Sequence, residues 1–285
     1  MKRVRIKTPA KINLFLRVLE RRADGYHNIE TIFQAVDLQD ELIIEKASDA
    51  SIFTVPGYSN LENEQNLVIK AIRRLELQIG SDLPAKIQLN KNIPIAAGLG
   101  GGSANAAAAL IGVCSLFDLD LSEEAIYEMA RSLGADVPFF LNGGSAVGRG
   151  VGDVLTPIDL PVDYSILLVN PGFDVSTAAV YQKLSSSLTG PALDGKLCTV
   201  IQEHQHLEDL LHNDLQAVAE GLYPEISEVR IFLKRNGLKK TLVSGSGSTV
   251  FAIGASDQLS RVAGILPGKW RAWIVNPIKH GPIMS

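Results

Sequence analysis

The stretch Pro94-Ile95-Ala96-Ala97-Gly98-Leu99-Gly100-Gly101-Gly102-Ser103 places four glycines directly before a run rich in alanine, Ala104–Leu110. Alanine has the highest helix propensity, so this run predicts a helix that begins where the glycines end. Before the stretch, Ile87 and Leu89 alternate with polar residues, as in a β-strand with one buried face. The chain therefore has the order strand, glycine-rich loop and helix at this point.

This order is typical of a loop that binds phosphate. A helix N-terminus presents unpaired N–H groups and the positive end of the helix dipole. Glycines lack a Cβ atom, so they allow those N–H groups to come close to phosphate oxygens. The alternative is a tight turn or a close helix–strand contact, which would explain one glycine better than four glycines and a serine.

Two other kinds of phosphate loop do not fit the stretch. A Walker loop needs a lysine after its last glycine, and no lysine follows Gly102. A dinucleotide loop needs a third glycine where Ser103 stands, and an acidic residue about 20 residues further on a second strand. The nearest acids, Asp118 and Asp120, precede a helix instead. A dinucleotide-binding oxidoreductase stays as the rival from another enzyme class.

The rest of the chain mixes strands and helices without strict alternation, which predicts an α+β fold. Its 285 residues are enough for two domains, and we expect one over residues 1–157 and another over residues 158–285. Strands are predicted at Val4–Ile6, Ile12–Val18, Ile29–Phe33, Leu42–Ile44, Ile87–Leu89, Ser165–Val169, Thr241–Val243, Val250–Ile253 and Trp270–Val275. Helices are predicted at Asn66–Ile79, Ser122–Gly134, Ser176–Leu184, Glu208–Ala219, Pro224–Leu233 and Leu259–Ile265.

Composition and charge argue against several classes of protein. Hydrophobic residues make up 46% of the chain and the formal net charge is −4, so we expect a folded protein that does not bind nucleic acid. The two cysteines, Cys114 and Cys198, are not spaced as a metal-binding pair and suit a reducing compartment. No secretory signal follows Met1, and no apolar run reaches membrane-spanning length. We therefore expect a cytoplasmic protein with no membrane contact.

Five segments together resemble the GHMP kinase superfamily. Pro94–Ser103 with Ala104 is similar to its second motif, although Gly101-Gly102-Ser103 stands where many members have two serines. Ser244-Gly245-Ser246-Gly247 is similar to the third motif. Three more segments resemble one branch of the superfamily, which acts on a CDP-linked polyol, and they follow in the family's order: Pro9-Ala10-Lys11-Ile12-Asn13-Leu14, Arg22-Ala23-Asp24-Gly25-Tyr26-His27 and Gly134-Ala135-Asp136-Val137-Pro138.

The resemblance implies an ATP-dependent kinase with its active site in the cleft between two domains. The implied reaction is phosphorylation of the tertiary 2-hydroxyl of a CDP-linked methylerythritol. ATP with Mg²⁺ is then the cosubstrate, with no tightly bound organic cofactor and no obligate protein partner. Ser103 matches a loop serine that holds Mg²⁺ in some relatives, but no matching glutamate can be placed, so the metal ligands stay unknown.

Asp136 and Lys11 are the candidate catalytic residues. Asp136 precedes the apolar run Val137–Phe140, where a carboxylate needs a partner or a function. Taken alone, the residues fit equally well an N-cap for a helix starting near Pro138. Lys11 taken alone is a solvated strand lysine. The resemblance places its ammonium beside Asp136, where it would keep the carboxylate ionised and assist it as general base.

The remaining candidates belong to the binding sites of the two substrates. An arbitrary Tyr-His pair is more often a core aromatic with a satisfied histidine, but the resemblance assigns Tyr26 and His27 to a cytidine pocket, where a tyrosine can stack on the base. For Asn66 and Lys91, ordinary surface polarity is nearly as good an explanation as a role in binding. For Tyr181, core packing on a helix face is the alternative to such a role. The resemblance gives the ATP site as Asn66, Pro94, Gly98, Leu99, Gly100, Gly101, Gly102, Ser103 and Ala104. It gives the acceptor site as Asn13, Tyr26, His27, Lys91, Tyr181, Gly245 and Ser246.

The loop Ser244–Ser248 also has two interpretations, a flexible turn or a backbone nest for a phosphate group of the acceptor. At the level of function, another GHMP kinase acting on mevalonate, homoserine or a sugar is the main alternative. The segment Asp24–His27 argues against it. A nucleotide-binding regulator without chemistry is a third possibility, but it would not need both Lys11 and Asp136.

Overall fold

A computed structural model describes residues 3–184 and 210–284 of the chain, which form one eight-stranded and one four-stranded sheet with helices against both. The strands are β1 Arg3–Arg21, β2 His27–Lys46, β3 Ile52–Thr54, β4 Ala85–Asn90, β5 Ser145–Arg149, β6 Val154–Ile158, β7 Ser165–Asn170, β8 His212–Asn213, β9 Thr241–Val243, β10 Val250–Gly254, β11 Arg271–Val275 and β12 Ile283–Met284. The helices are α1 Leu67–Ile79, α2 Gly101–Phe117, α3 Glu123–Leu133, α4 Val137–Asn142, α5 Thr177–Gln182, α6 Gln216–Leu222, α7 Pro224–Arg235 and α8 Ser256–Ala263, with a 3₁₀ turn at Ser59–Leu61.

The larger sheet has the order β12-β1-β2-β4-β3, with β5 and β6 continuing from β2 and β8 pairing with β1. The smaller sheet has the order β11-β7-β10-β9. Side chains from α1, α2 and α3 cover one face of the larger sheet, and its other face packs on the smaller sheet. The outer face of the smaller sheet is covered by α6, α7 and α8. The result is four layers, which confirms the α+β prediction.

The long hairpin of β1 and β2 is the centre of the fold. Its register shifts after Pro9 and again after Asn13, and such bulges change the direction in which neighbouring side chains point. Lys11 and Asn13 lie between these two shifts, on the same face of β1. Because both faces of the hairpin are covered, its middle reads as an almost continuous buried run rather than as a clean alternation.

Several helix boundaries agree with the sequence signals. The Asn66 side chain accepts a hydrogen bond from the amide of Val68 at the start of α1, and Ser122 caps α3 in the same way through Ala125. Gly80 ends α1 in the left-handed conformation. In α2, a Cβ on Gly112 would lie 2.5 Å from Ile6 Cδ1, so this glycine allows the helix to approach β1.

Two predictions about elements were wrong. The predicted separate strands are joined in the structure: Val4–Ile6 and Ile12–Val18 are parts of β1, and Ile29–Phe33 and Leu42–Ile44 are parts of β2. The predicted helix Glu208–Ala219 begins outside the described residues, and its middle forms β8, so that α6 starts only at Gln216. Tertiary hydrogen bonds explain this difference, because the Asn213 amide donates to the carbonyls of Val243 and Gly245. Within the described ranges, no helix is both long and apolar enough to cross a membrane.

Candidate active site

A cavity of about 1010 Å³ lies where the glycine-rich loop, the β1–β2 turn and α5 meet. Ligand sites in proteins commonly measure about 300–1,000 Å³, so this one has room for a nucleotide and a second substrate. Most of the predicted site residues line it: Lys11, Asn13, Tyr26, His27, Asn66, Lys91, Pro94, Gly98, Gly100, Gly101, Gly102, Ser103, Asp136, Tyr181, Gly245 and Ser246.

Leu99 and Ala104 are the two predicted ATP-site residues that do not line the cavity. Both side chains are buried in the core. Leu99 lies in the middle of the loop and Ala104 near the start of α2, and both side chains point toward the sheet. The carbonyl of Leu99 instead accepts a hydrogen bond from the amide of Lys11 at 2.9 Å. This bond attaches the loop to β1 beside the candidate catalytic lysine.

Lys11 and Asp136 form the charged centre of the cavity. The Nζ of Lys11 lies 3.3 Å from Oδ2 of Asp136, with the lysine side chain 4% exposed and the aspartate 33%. Asp136 stands at the N-cap position of α4, yet its side chain makes no capping hydrogen bond. The carboxylate therefore faces Lys11 and the cavity, which favours the catalytic interpretation over the capping one.

Asn13 and Thr31 hold the lysine in place. Lys11 Nζ donates to Asn13 Oδ1 at 2.7 Å, and Asn13 Nδ2 donates to Thr31 Oγ1 at 2.8 Å. The Thr31 hydroxyl in turn donates to the carbonyl of Phe15 at 2.7 Å. All three polar side chains are buried. Thr31 gave no sequence signal, since a threonine inside a strand is unremarkable.

The glycines of the loop serve two different purposes. Gly98 and Gly100 have φ angles of +77° and +70°, which glycine adopts without strain. A Cβ on Gly98 would lie 2.0 Å from the carbonyl oxygen of Ser244, and one on Gly100 would lie 2.7 Å from the Phe140 ring. At these two positions the close contacts alone require glycine, and both residues also line the cavity.

Gly101, Gly102 and Ser103 form the first turn of α2, and they face the cavity. No described side chain caps this turn, in contrast to α1, α3 and α5. A Cβ on Gly102 would meet only Leu67 Cδ1, at 3.8 Å, so packing does not require a glycine there. The open N-terminus of a 17-residue helix is what a phosphate cradle needs.

The second glycine loop, Ser244–Ser248, lies directly against the first. The Ser244 hydroxyl donates to the Gly98 carbonyl at 2.9 Å. A Cβ on Gly245 would lie 3.3 Å from Asn13 Oδ1 and 3.6 Å from Lys11 Nζ, and Ser246 is hydrogen-bonded to Thr177 at 2.8 Å. The loop is thus held at its start and at its middle, and Gly245 borders the Lys11–Asn13 pair.

An aromatic cluster forms the far end of the cavity. The rings of His27 and Tyr181 lie 5.5 Å apart, and Tyr26 is 65% exposed at the rim. Burial lowers the pKa of the His27 imidazole below its ordinary value of 6.5, and the positive charge of Arg21 lowers it further. Burial also raises the pKa of the Tyr181 phenol, with a contribution from the Asp136 carboxylate. Both rings are therefore uncharged near pH 7.

Lys91 and Asn66 line the cavity but are engaged by the protein. The Lys91 side chain is 5% exposed and forms an ion pair with Asp40, so it is not the ordinary surface lysine that the sequence allows. Asn66 caps α1 and also donates from Nδ2 to the carbonyl of Leu61 at 3.0 Å. Among residues 3–184 and 210–284, no group of three or more His, Cys, Asp or Glu side chains is placed to hold a metal ion.

Comparison with known proteins agrees with this geometry. The family model described as "GHMP kinases N terminal domain" matches residues 66–144, and "GHMP kinases C terminal" matches residues 198–272. A protein of Syntrophus aciditrophicus named 4-diphosphocytidyl-2-C-methyl-D-erythritol kinase is 39% identical over 276 residues, which cover 95% of this chain and 97% of the relative.

Solved structures show the same fold. A crystal structure of 4-(cytidine 5'-diphospho)-2C-methyl-D-erythritol kinase has a TM-score of 0.79 and 35% identity, covering 96% of this chain and 98% of its own. A homoserine kinase from Cytophaga hutchinsonii has a TM-score of 0.77 at 19% identity, covering 100% of this chain and 98% of its own. From these matches, the chain belongs to the GHMP kinase family of ATP-dependent small-molecule phosphotransferases.

Proposed function

We propose that the protein phosphorylates the 2-hydroxyl of 4-diphosphocytidyl-2-C-methyl-D-erythritol with ATP. The observation that carries the proposal is the Lys11–Asp136 pair, which lies in one cavity with the uncapped start of α2 and the aromatic cluster of Tyr26, His27 and Tyr181. The names of relatives that are about 40% identical over most of the chain support this acceptor.

The γ-phosphoryl group of ATP would lie against the first turn of α2. The N–H groups of Gly101, Gly102 and Ser103 have no side-chain cap, so they can donate to phosphate oxygens. Mg²⁺ would arrive on the ATP phosphates as part of the substrate, because the described residues offer no acidic cluster for it. The Ser103 hydroxyl, which lines the cavity, is the loop's only side chain suited to reach that ion.

Asp136 would act as the general base. Its carboxylate removes the proton of the acceptor hydroxyl while that oxygen attacks the γ-phosphorus. The new oxygen–phosphorus bond forms as the bond between the γ-phosphorus and its bridging oxygen breaks, and ADP leaves with that electron pair. Lys11, held by Asn13 at 2.7 Å, would stabilise the charge on the attacking oxygen and on the transferred group.

The cytidine end of the acceptor would occupy the aromatic cluster. Tyr26 is exposed at the rim, where its face can cover a base, and Tyr181 and His27 supply neutral polar groups on the opposite side. Gly245 and Ser246 border the catalytic pair, so their backbone would hold the acceptor's diphosphate.

We also propose that residues 1–157 form the ATP side of the molecule and residues 158–285 the other side. The two matched family models lie within these limits. A cytoplasmic location belongs to the same proposal, because the two sparse cysteines suit a reducing compartment.

An ADP-release assay with a panel of acceptors tests the proposal. The panel contains the CDP-linked methylerythritol, its uridine analogue, mevalonate, homoserine and galactose, each with Mg²⁺ and ATP. We expect efficient turnover of the CDP-linked compound alone. Equal turnover of the uridine analogue would overturn the assignment of the cytidine pocket, and preference for mevalonate, homoserine or galactose would overturn the proposed reaction.

A further inference from the structure

We propose that Asp40 is a positioning residue for ATP, which ties the two flanks of the glycine-rich loop together and aims Lys91 at the start of α2. The inference rests on the proposed ATP site. Asp40 is 1% exposed and lies on β2, outside every motif that the sequence brings out. A buried carboxylate needs several partners to be stable, and those of Asp40 all belong to the surroundings of the loop.

One oxygen of the carboxylate holds the chain as it enters the loop. Oδ1 of Asp40 accepts hydrogen bonds from the amides of Asn92 at 2.7 Å and Ile93 at 2.8 Å. These residues directly precede Pro94, the first residue of the loop. Bonds from backbone N–H groups to an ionised acceptor are among the strong ones in proteins, so the entry to the loop has a fixed position relative to β2.

The other oxygen holds the chain after it leaves the loop. Oδ2 of Asp40 accepts from the Asn105 amide at 3.0 Å, and Asn105 is in the second turn of α2. The Thr8 hydroxyl donates to Asn105 Oδ1 at 2.7 Å, which fixes the orientation of that amide. The carboxylate of Asp40 therefore bridges residues on both sides of the ten-residue stretch 94–103.

The same oxygen also pairs with the ammonium of Lys91. A Cβ on Gly101 would lie 3.1 Å from Lys91 Nζ, so the ammonium is held close to the first turn of α2. We therefore place Lys91 on the ATP side of the cavity and not in the acceptor site suggested by the family resemblance. Both Lys91 and Asn105 line the cavity. Without Asp40, this lysine would lose its only acidic partner among the described residues. Asp40 thus presets both the shape of the cradle and the place of a positive charge beside it.

Asp40→Asn tests this role with an almost unchanged side-chain shape. The amide oxygen can keep the two bonds to the loop entry, but its NH₂ group would face two other donors, Lys91 Nζ and Asn105 Nδ2. We expect the Kd for ATP, measured by calorimetry, to rise at least about tenfold, equivalent to about 1.4 kcal/mol. The KM for the acceptor should change by less than about twofold, because the aromatic cluster is not touched.

Glu41→Gln is the matched control. Glu41 is the next residue of β2, and it pairs with Arg5 at 3.2 Å and Asn90 at 2.9 Å, away from the cavity lining. The change removes one carboxylate from the same strand and should leave the Kd for ATP unaltered. If Asp40→Asn does not fold, Asn105→Ala removes the exit contact, together with the bond from Thr8, while keeping the contacts of Asp40 to the loop entry and to Lys91. It should raise the Kd for ATP several-fold.

The outcomes separate this inference from the proposed function. A folded Asp40→Asn protein that binds ATP like the wild type overturns the role of Asp40, even if the wild type phosphorylates the CDP-linked acceptor. A fall in melting temperature with equal losses for both substrates also overturns it, because that result describes a purely structural residue. Wild-type protein that binds ATP but does not phosphorylate the CDP-linked acceptor overturns the proposed function. The Kd of Asp40→Asn for ATP still decides the role of Asp40 in that case.

Discussion

At the scale of single residues, donor and acceptor chemistry decides how Lys11, the proposed catalytic lysine, is held. The Phe15 carbonyl can only accept, so the Thr31 hydroxyl must donate to it. Thr31 Oγ1 is then an acceptor for Asn13 Nδ2, which turns Asn13 Oδ1 toward Lys11. Thr31, which does not line the cavity, thereby sets the direction in which the lysine points.

Replacing Thr31 with Val should test this chain of hydrogen bonds. The Asn13 NH₂ group would lose its acceptor in a buried site, a loss of about 1–3 kcal/mol. The amide would then be free to rotate and to present its NH₂ group to Lys11. We expect kcat to fall about tenfold and the KM for ATP to stay within about twofold, measured by steady-state kinetics.

Thr31→Ser is the control for that experiment, since it keeps the hydroxyl and removes one methyl group. It should retain most of kcat while losing stability by about 1 kcal/mol. Equal kcat losses in the two variants would show that packing at this position matters and that the hydroxyl does not.

Asp136→Asn addresses the proposed base directly. The substitution keeps the shape of the side chain and removes the proton acceptor. General-base assistance contributes about 10²–10⁴-fold, so kcat should fall by that factor, or about 3–5 kcal/mol of barrier. Binding of the acceptor should change little, because the loss falls on the transition state.

Lys11→Met should lower kcat as well, and the double variant shows whether the pair acts as a unit. Since Lys11 and Asp136 are 3.3 Å apart, the double loss should be much smaller than the product of the single losses. An Asp136→Asn enzyme with nearly wild-type kcat would leave positioning and charge as the whole mechanism.

At the scale of elements, the glycine-rich loop combines packing with binding, and single substitutions can separate the two. A Cβ on Gly98 would lie 2.0 Å from the Ser244 carbonyl oxygen, whereas one on Gly102 meets only Leu67 at 3.8 Å. Gly101 is an intermediate case, because its Cβ would lie 2.9 Å from Ile93 Cγ2. A bulky residue at Gly101 would therefore change packing and ATP binding together.

Gly98→Ala and Gly102→Ala should consequently fail in different ways. Gly98→Ala forces the two loops apart and strains a positive φ, so we expect a loss of at least about 1–3 kcal/mol in the free energy of unfolding. Gly102→Ala should leave stability within about 0.5 kcal/mol and raise the Kd for ATP about tenfold, because the methyl group blocks close approach of phosphate. Unchanged ATP affinity in Gly102→Ala would exclude the cradle.

How far the sequence predicts these elements depends on whether the signal is local. The strand–loop–helix order and the helix that begins near Asn66 follow from local patterns, and the structure has both. Thr31 and Asp40 lie in β2. The partners of Thr31 are 16 and 18 residues away in the chain, and those of Asp40 are 51 to 65 residues away. Their roles depend on strand register and on the shifts in β1, which a pattern of apolar residues does not encode.

The wrong helix at residues 208–219 has the same cause. Its residues have acceptable helix propensity, but the Asn213 side chain bonds to β9 and to the second glycine loop, and the Asp214 carboxylate accepts from the amide of Val18 at 2.8 Å. Such tertiary bonds outweigh a weak local preference.

At the scale of the whole molecule, the four layers bring the ends of distant segments to one cavity. The β1–β2 turn supplies Tyr26 and His27, and the helix α5, which is not part of the larger sheet, supplies Tyr181. The contact between the two rings, at 5.5 Å, joins parts of the chain that are far apart in sequence. Because we propose that the cytidine of the acceptor occupies this end of the cavity, changes here should affect the acceptor and not ATP.

Tyr26→Ala should therefore raise the KM for the acceptor. The expected loss of binding free energy is about 1–3 kcal/mol, the range for loss of one stacking contact. Tyr26 is 65% exposed, so the change should hardly alter stability. Leu77→Ala is a suitable control, because Leu77 is 76% exposed on α1 and lies outside the cavity lining. An unchanged acceptor KM in Tyr26→Ala would remove Tyr26 from the pocket.

The pH dependence of acceptor binding follows from His27. Burial and the neighbouring Arg21 lower the pKa of His27 below 6.5, so the ring is neutral at pH 7, with one donor and one acceptor nitrogen for the polar edge of a base. Protonation removes the acceptor nitrogen of the ring. The KM for the acceptor substrate should therefore rise as the pH falls through this lowered pKa, while the Kd for ATP stays constant.

Arg21→Gln removes a positive charge that disfavours protonation, so the pKa of His27 rises and the increase in KM should begin at a higher pH. His27→Gln stays uncharged over this range and should give a KM independent of pH between 5 and 7, about the span in which histidine titrates. Two results would show that His27 does not bind the base. One is a wild-type KM that does not change over that span, and the other is a midpoint of the change in KM that Arg21→Gln does not move.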